Sequence, residues 1–513
     1  MSTPTTNKLP LHEKIGYALG DAGGNLVWRG ALAYLAVFYT DTFGISAAAA
    51  AILFLVVRLS DGVTDIIMGM IADRTQTKYG KFRPWILWST PFLAIFMVLC
   101  FTTPDISPTA KLVYAYFTYI GLTLAYTANN VPYSALMGVM TSDDLERTRL
   151  SGFRFAGAFA GGLLVMGFLP DLVAHFGQGD SARGYQYTMY VFAGLLAVLM
   201  LITFLTTKER VTPHLSNESG LKAGLVDLMK NLPYITLPLL SITLFFHFRD
   251  VYSGIFFVIV MTSMGFFIKR LLAQDHSQLS DSKRDMVDLL TNKPWLILLG
   301  MGFLMMMFNG IKYGVIAYYF KYYVGNELMA GQYFILLLVV SILGALCTGK
   351  LAEYFGKRNL FIISFLGSAL FTAVFFWLPS DNVVLIFTMG CLSELFAAML
   401  PTLFFTMLGD AADYSEWKHK RRATGLIYSA GTFVQKTGGG FAGALVLVVL
   451  AGYGYDGMDP STITQTLPGM KLLMSWIPAA FAIAGAVLML AYPLTPQMVQ
   501  QITKDLAISR SSS

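Results

Sequence analysis

Apolar runs of about twenty residues, each closed by a short polar loop, recur along almost the whole chain and leave few folds open to it. A helix that crosses the hydrocarbon core of a bilayer needs about 20 predominantly apolar residues. Such runs lie near 15–42, 47–72, 84–103, 110–140, 150–175 and 185–206, and again near 294–324, 329–354, 359–378, 382–412, 423–451 and 470–493. In lipid, backbone N–H and C=O groups have to find partners within the protein, so these runs read as helices. Of the 513 residues 55% are hydrophobic and 13% charged, about half the charged content of a soluble domain. The expected fold class is an all-α integral membrane protein with 12 core helices in two sets of six.

Lysine and arginine set the orientation. Loops 73–83 (DRTQTKYGKFR), 143–149 (DDLERTR), 356–359 (GKRN) and 417–422 (WKHKRR) are basic. Loops 41–46, 104–110, 324–330, 379–382 and 452–469 hold no Lys or Arg, and 176–184 has only Arg183. The positive-inside rule places the basic loops and both termini in the cytoplasm, and the N-terminus MSTPTTNKLPLHEK has no short apolar core of a removable signal. The net charge of +6 is therefore a topology signal rather than a nucleic-acid footprint. Cys100, Cys347 and Cys391 lie in apolar segments without metal spacing, and the six histidines are scattered. With no nucleophile–base pair or metal cluster, an enzyme is not expected, and neither is any cofactor.

The organisation expected is an N-terminal six-helix bundle (1–207), a cytoplasmic linker (208–293) and a C-terminal six-helix bundle (294–513). The linker contains two apolar segments, near 233–248 and 251–268, separated by HFRD. VDLMKNLPYITL (226–237) resembles VDLLTNKPWLIL (287–298), as though the start of the seventh core helix had been copied. Two extra spans keep both flanks on one side, so an inserted hairpin at about 233–268 and fourteen spans in all are predicted; the short first segment leaves an interfacial or re-entrant hairpin open. The halves also echo each other. Residues 131–162 and 400–443 each run helix, acidic-then-basic loop, then a Gly-rich helix with one buried cation. Such repeats are typical of transporters built around a central cavity.

Charge inside the apolar runs points to function. Arg58, Asp61 and Asp65 follow at i, i+3 and i+7 in the second run, on one helix face. A carboxylate at membrane depth costs roughly 2.5–3.5 kcal/mol on insertion scales, and two of them a turn apart repel unless a cation or proton lies between them. Arg58 can offset one charge, and Thr64 adds a neutral oxygen of the kind hard cations accept. The competing reading is a structural ion-pair network. Arg154 and Lys436 read as substrate-facing cations without adjacent carboxylates, or as partners of a neighbouring helix's acid. Lys312 and Glu394 either pair with each other or join the cavity. Trp28 and Tyr133 could stack on a sugar face, although isolated aromatics are often packing. Gly157/Gly161 and Gly439/Gly443 are small-xxx-small pairs suited to close helix contact.

GDAGGNL (20–26), YTD (39–41), RLSDGVTD (58–65), DRTQTKYGKFRPW (73–85), TANNVPY (127–133), DYSEWK (413–418) and the late-helix Lys in VQKTGG together resemble the glycoside–pentoside–hexuronide:cation symporter family of the Major Facilitator Superfamily. The resemblance covers nearly the whole chain except 211–285. It implies the two-bundle Major Facilitator fold and symport of a sugar, glycoside or hexuronide with a monovalent cation (Na⁺, Li⁺ or H⁺), by a monomer in the cytoplasmic (inner) membrane. It implies a cation site of Asp61, Thr64, Asp65 and Thr127. The substrate site it implies comprises Asn25, Asn130, Arg154, Lys436, Trp28, Tyr133 and Thr432. Arg58, Asp73, Arg74, Lys81, Arg83, Asp410 and Asp413 become gating residues. In the family's melibiose carrier, carboxylates stand where this chain has Asn25 and Asn130, and aromatics where it has Ser134 and Pro401. Losing two carboxylates while keeping two cations makes the expected cavity more positive and favours an acidic glycoside. Rival readings are a carrier of amphipathic lipids and a membrane sensor that binds sugar without moving it.

Overall fold

Helices along the described chain begin at side chains that cap them. Ser107 accepts from the Ala110 N–H, Asp143 from Glu146, Asp180 from Arg183, Asn292 from Trp295 and Asn382 from Leu385, each satisfying one orphan donor of a helix start. The computed structural model describes residues 8–45, 47–211, 251–274, 281–326, 328–420, 424–455 and 463–511. The first half holds α1 (Leu11–Val37), α2 (Ala47–Arg74), α3 (Arg83–Cys100), α4 (Pro108–Met140), α5 (Asp144–Gly177) and α6 (Ser181–Thr206). After the linker come α7 (Val251–Leu272) and a short α8 (Asp281–Leu290). The second half holds α9 (Lys293–Tyr318), α10 (Leu328–Phe355), α11 (Lys357–Ala373), α12 (Val383–Ala397), α13 (Met399–His419), α14 (Thr424–Gly452), α15 (Ile463–Met474) and α16 (Trp476–Leu490), followed by α17 (Pro496–Ser511). Among the described residues, nine helical stretches are long and apolar enough to cross a membrane by length and composition.

Two of the expected spans are broken, and proline explains both. The run 382–412 divides at Ala398, because Pro401 lacks an N–H and its ring crowds the carbonyl four residues back, on Ala397. The last run divides at Ser475 for the same reason, with Pro478 acting against Met474. The first helix of each half ends alike. α1 widens into a π-turn at Phe38–Phe43 and α9 into one at Tyr319–Val324, and Gly44 (φ 84°) and Gly325 (φ 80°) close them in the left-handed region.

The hairpin expected in the linker is not established: its first segment, 233–248, lies outside the described residues, and its second is α7. Two helices were not foreseen. α8 packs on α9 and α13, and α17 packs on α13, where the Trp417 indole donates to Asp505 at 2.9 Å. Gly157 and Gly161 behave as expected, since a Cβ there would stand 2.1 Å from the Ala18 oxygen and 2.4 Å from that of Ala22 on α1. Gly439 and Gly443 do not: a Cβ at either meets nothing within 4 Å, so close packing among the described residues is not their reason.

Within the first half α1 packs on α5 and α6, and α4 on α2 and α3; in the second, α9 packs on α14 and α16, and α11 on α12 and α16. The halves meet through α5 against α10 and α13, and through α2 and α4 against α14.

Candidate functional site

Aspartates one turn apart on α2 need a counter-charge, and α14 supplies it. The Lys436 ammonium lies 3.0 and 2.9 Å from the two Asp65 carboxylate oxygens and 3.7 Å from an Asp61 oxygen. The Thr127 hydroxyl of α4 donates to Asp65 at 2.9 Å. Asp61, Asp65 and Thr127 are buried, so the α2 aspartates are held at the junction of both halves. Thr64 is close by, but its hydroxyl donates to the Asp61 backbone oxygen at 3.1 Å. Lys436, expected at the substrate, is thus seated on the aspartates, with its ammonium 5.7 Å from the centre of the Trp28 ring. The Arg58 side chain lies outside those described.

A second polar cluster is built from α1, α4 and α5. Arg154 donates from Nε to Asp21 at 2.8 Å and from Nη2 to the Ser134 hydroxyl at 2.9 Å. Ser134 donates to the Asn130 oxygen at 3.1 Å, and the Asn130 amide donates to the Tyr126 hydroxyl at 2.6 Å. The Asn25 amide donates to the Asp21 backbone oxygen at 2.9 Å and to its carboxylate at 3.3 Å. Tyr126 stacks on Trp28 with centroids 5.2 Å apart. Asp21, Arg154, Ser134, Asn130, Tyr126, Trp28, Lys436 and Asp65 therefore form one unbroken series of contacts between the two clusters. Asn25, Asn130 and Trp28 remain part-exposed along it.

The premise that Arg154 and Lys436 lack adjacent carboxylates is corrected: each has one, because an unmatched cation in a low-dielectric interior is costly. Asp21 was missed as a site residue, although it stands in GDAGGNL one turn before Asn25; the rule that singled out Asp61 would have found it. Tyr133 is fully engaged in packing. Its ring stacks on Tyr17 at 4.6 Å, its hydroxyl donates to the Tyr17 oxygen at 2.5 Å, and Tyr17 returns a bond to the Tyr133 oxygen at 3.0 Å. The Thr432 hydroxyl goes to the Tyr428 carbonyl of its own helix at 3.1 Å. Lys312 and Glu394 pair at 2.8 Å, with Tyr313 and Ser341 also donating to Glu394 at 2.8 and 2.7 Å.

At the basic-loop end the halves are tied together. Arg147 grips Asp410 at 3.0 Å and Asp413 at 2.8 Å, and Lys357 bridges Asp144 and Asp410. Asp73 pairs with Lys81 at 2.8 Å and accepts the Leu426 N–H at 3.1 Å, so the end of α2 caps the start of α14. Arg83 stays within the first half, donating to the Phe204 carbonyl at 2.6 Å, and Arg74 to Met70 at 3.3 Å. Arg147 and Lys357, both absent from the expected gate residues, are its central cations.

The sequence profile of a family described as MFS/sugar transport protein matches residues 16–249 and 245–496. The chain is 31% identical over 505 residues to the putative glycoside/cation symporter YagG of Escherichia coli (strain K12), covering 98% of this chain and 96% of that protein. It is 30% identical to an isoprimeverose transporter of Lactiplantibacillus pentosus (97% and 92% covered). It is 25% identical to the glucuronide carrier protein homolog of Escherichia coli (strain K12) (96% and 94%). The fold matches the proton:xylose symporter XylE bound to 6-bromo-6-deoxy-D-glucose, with a TM-score of 0.57 at 14% identity over 96% of this chain and 98% of that one. It also matches the outward-conformation transporter FucP, with a TM-score of 0.59 at 11% identity over 94% and 100%.

Proposed function

The chain belongs to the MFS/sugar transport protein family, a family of membrane transporters rather than enzymes, and from that premise we propose that it carries a glycoside together with a monovalent cation into the cell. The cation, Na⁺ or H⁺, binds at Asp61 and Asp65 with Thr127; the sugar binds along Asn25, Asn130 and Trp28. The observation that carries this reading is the continuous series of side-chain contacts from Asp65 through Lys436 and Trp28 to Arg154. In the present state Lys436 neutralises Asp65, so an arriving cation competes with a tethered one. Occupation of the aspartates displaces the ammonium from Asp65 toward Trp28 and the sugar groove. Each ligand then tightens the other by the same factor, as linkage requires.

With the basic loops and both termini cytoplasmic, the ties at Arg147, Lys357 and Asp73 close the inner side in an alternating-access cycle. The glycoside/cation symporter and isoprimeverose transporter among the relatives support a glycoside cargo.

The test is thermal unfolding of the purified protein with a panel of glycosides, in Na⁺ and with choline in its place, at several pH values. A ligand stabilises by an amount set by its concentration over its dissociation constant. A sugar shift that grows with Na⁺, or with proton activity, and is lost in Asp61→Asn is expected. A sugar shift indifferent to both would make the protein a uniporter, and no shift with any sugar would remove the assignment.

A further inference from the structure

Arg154, Lys436 and Lys312, cations deep in the bundle, each have a carboxylate at 3 Å or less. Arg29, midway along α1, makes no hydrogen bond or ion pair with any described residue. Its side chain is nonetheless positioned. It lies across Gly162 of α5, where a Cβ would stand 2.4 Å from the Arg29 Cδ and 2.7 Å from Nε. Any larger residue at 162 would push it out of this groove.

Its position relative to the sugar groove follows from the two helices. Arg29 comes eight residues after Asp21 on α1, and Gly162 eight after Arg154 on α5. Because Gly161 lies against Ala22, the arginine stem across Gly162 stands less than about one turn beyond Asp21, away from the basic-loop end. Asp21, Asn25 and Arg29 fall at i, i+4 and i+8, on one face. Arg29 is within electrostatic reach of Tyr313 and Glu394 across the gap between the halves, and of Asp21 on its own helix, which is already paired with Arg154. Glu394, however, already receives Lys312, Tyr313 and Ser341. A cation held between the helices at membrane depth, with both acids in reach committed elsewhere, marks a ligand pathway by default. The positive character once attributed to Arg154 and Lys436 belongs here instead, since both of those are neutralised.

We infer that Arg29 is the anion-recognising residue of the cavity, and that the cargo is a glycoside bearing one carboxylate or sulfonate. The guanidinium fork presents paired N–H donors that match such a group bidentately, while Asn25, about one helical turn before it on α1, and Asn130 meet the hydroxyls. This inference rests on the sugar-carrier reading and deepens it.

The experiment is binding to the purified full-length protein of matched ligand pairs. Each uronide or 6-sulfonate is measured beside its neutral hexoside, with the same aglycone and linkage. The wild type is expected to bind the anionic member at least tenfold more tightly. Arg29→Gln should erase most of that preference, Arg29→Lys should keep part of it, and Gly162→Ala should reduce it by displacing the arginine stem without changing charge. A wild type that prefers the neutral hexoside, or a preference unchanged in Arg29→Gln, overturns the inference and leaves the carrier reading standing. Equal losses for both members of each pair would make Arg29 a positioning or closure residue, against the proposal. Failure of every sugar to bind the wild type removes both readings together. Comparing the uronide with the sulfonate tells which anion the site fits.

Discussion

Asp65 is gripped from two other helices at once, by Thr127 at 2.9 Å and by Lys436 at 2.9 and 3.0 Å, and this governs what single substitutions do. Removing one member of a buried charge pair costs roughly 3–5 kcal/mol, because its partner is left uncompensated. Lys436→Gln, which takes the ammonium from both aspartates, should therefore lower the unfolding temperature measurably in the absence of any ligand, and Asp65→Asn, which leaves Lys436 the Asp61 oxygen 3.7 Å away, should do so less. Residues in direct contact couple, so the double variant should be clearly more stable than the sum of the two losses predicts; strict additivity would contradict the pairing. At the other end of the contact series, Asp21→Asn leaves Arg154 with the Ser134 hydroxyl and no carboxylate. It is expected to weaken glycoside binding at least tenfold, read by titration calorimetry, with a smaller loss of cation binding. The α2 aspartates were legible in the sequence because their spacing and cost are local properties. Their partner was not, since no spacing rule links residue 65 to residue 436. Which of its two readings Tyr133 follows was hidden for a related reason: a sequence cannot show that Tyr17 already covers its ring.

At the scale of elements, the spans could be read from hydropathy, and the bounds agree within a few residues. The breaks at Ala398 and Ser475 depended on Pro401 and Pro478, which interrupt hydrogen bonding without interrupting apolar character. α8 and α17 are amphipathic and too polar to stand out among spans. At the basic-loop end, α2 and α14 of different halves meet closely. A Cβ on Gly425 would stand 2.5 Å from the Gly69 backbone oxygen and 2.7 Å from an Asp73 oxygen, and the backbone oxygen has no freedom to move aside. Gly425→Ala should hold the start of α14 away from the end of α2. A cysteine introduced as Ser429→Cys, on the same face, should then label several-fold faster from the cytoplasmic side. Arg147→Gln, which releases Asp410 and Asp413 together, should increase the same labelling. Labelling unchanged in both variants would show that these contacts do not keep the inner side shut.

For the whole molecule, the two halves are joined by charge at one end and by the Asp65–Lys436 contact in the middle, so the proposed cation site and the proposed gate share one set of interfaces. The family and its fold were readable from motifs spread over the chain, whereas the cargo was not, because side chains from α1, α4, α5 and α14 jointly build the groove proposed for the sugar. Driven by one cation and carrying a neutral sugar, a potential of ~100 mV contributes about 2.3 kcal/mol per charge, enough for roughly fifty-fold accumulation. A monoanionic cargo with one cation moves no net charge and gains nothing from the potential, so its accumulation should follow the ion gradient alone. The most direct measurement is therefore uptake of a labelled glycoside into proteoliposomes with an imposed Na⁺ or H⁺ gradient and, separately, an imposed potential. The account predicts transient accumulation above the outside concentration under one of the ion gradients, abolished by Asp61→Asn and Asp65→Asn. Simple equilibration that ignores both gradients and both substitutions would contradict it.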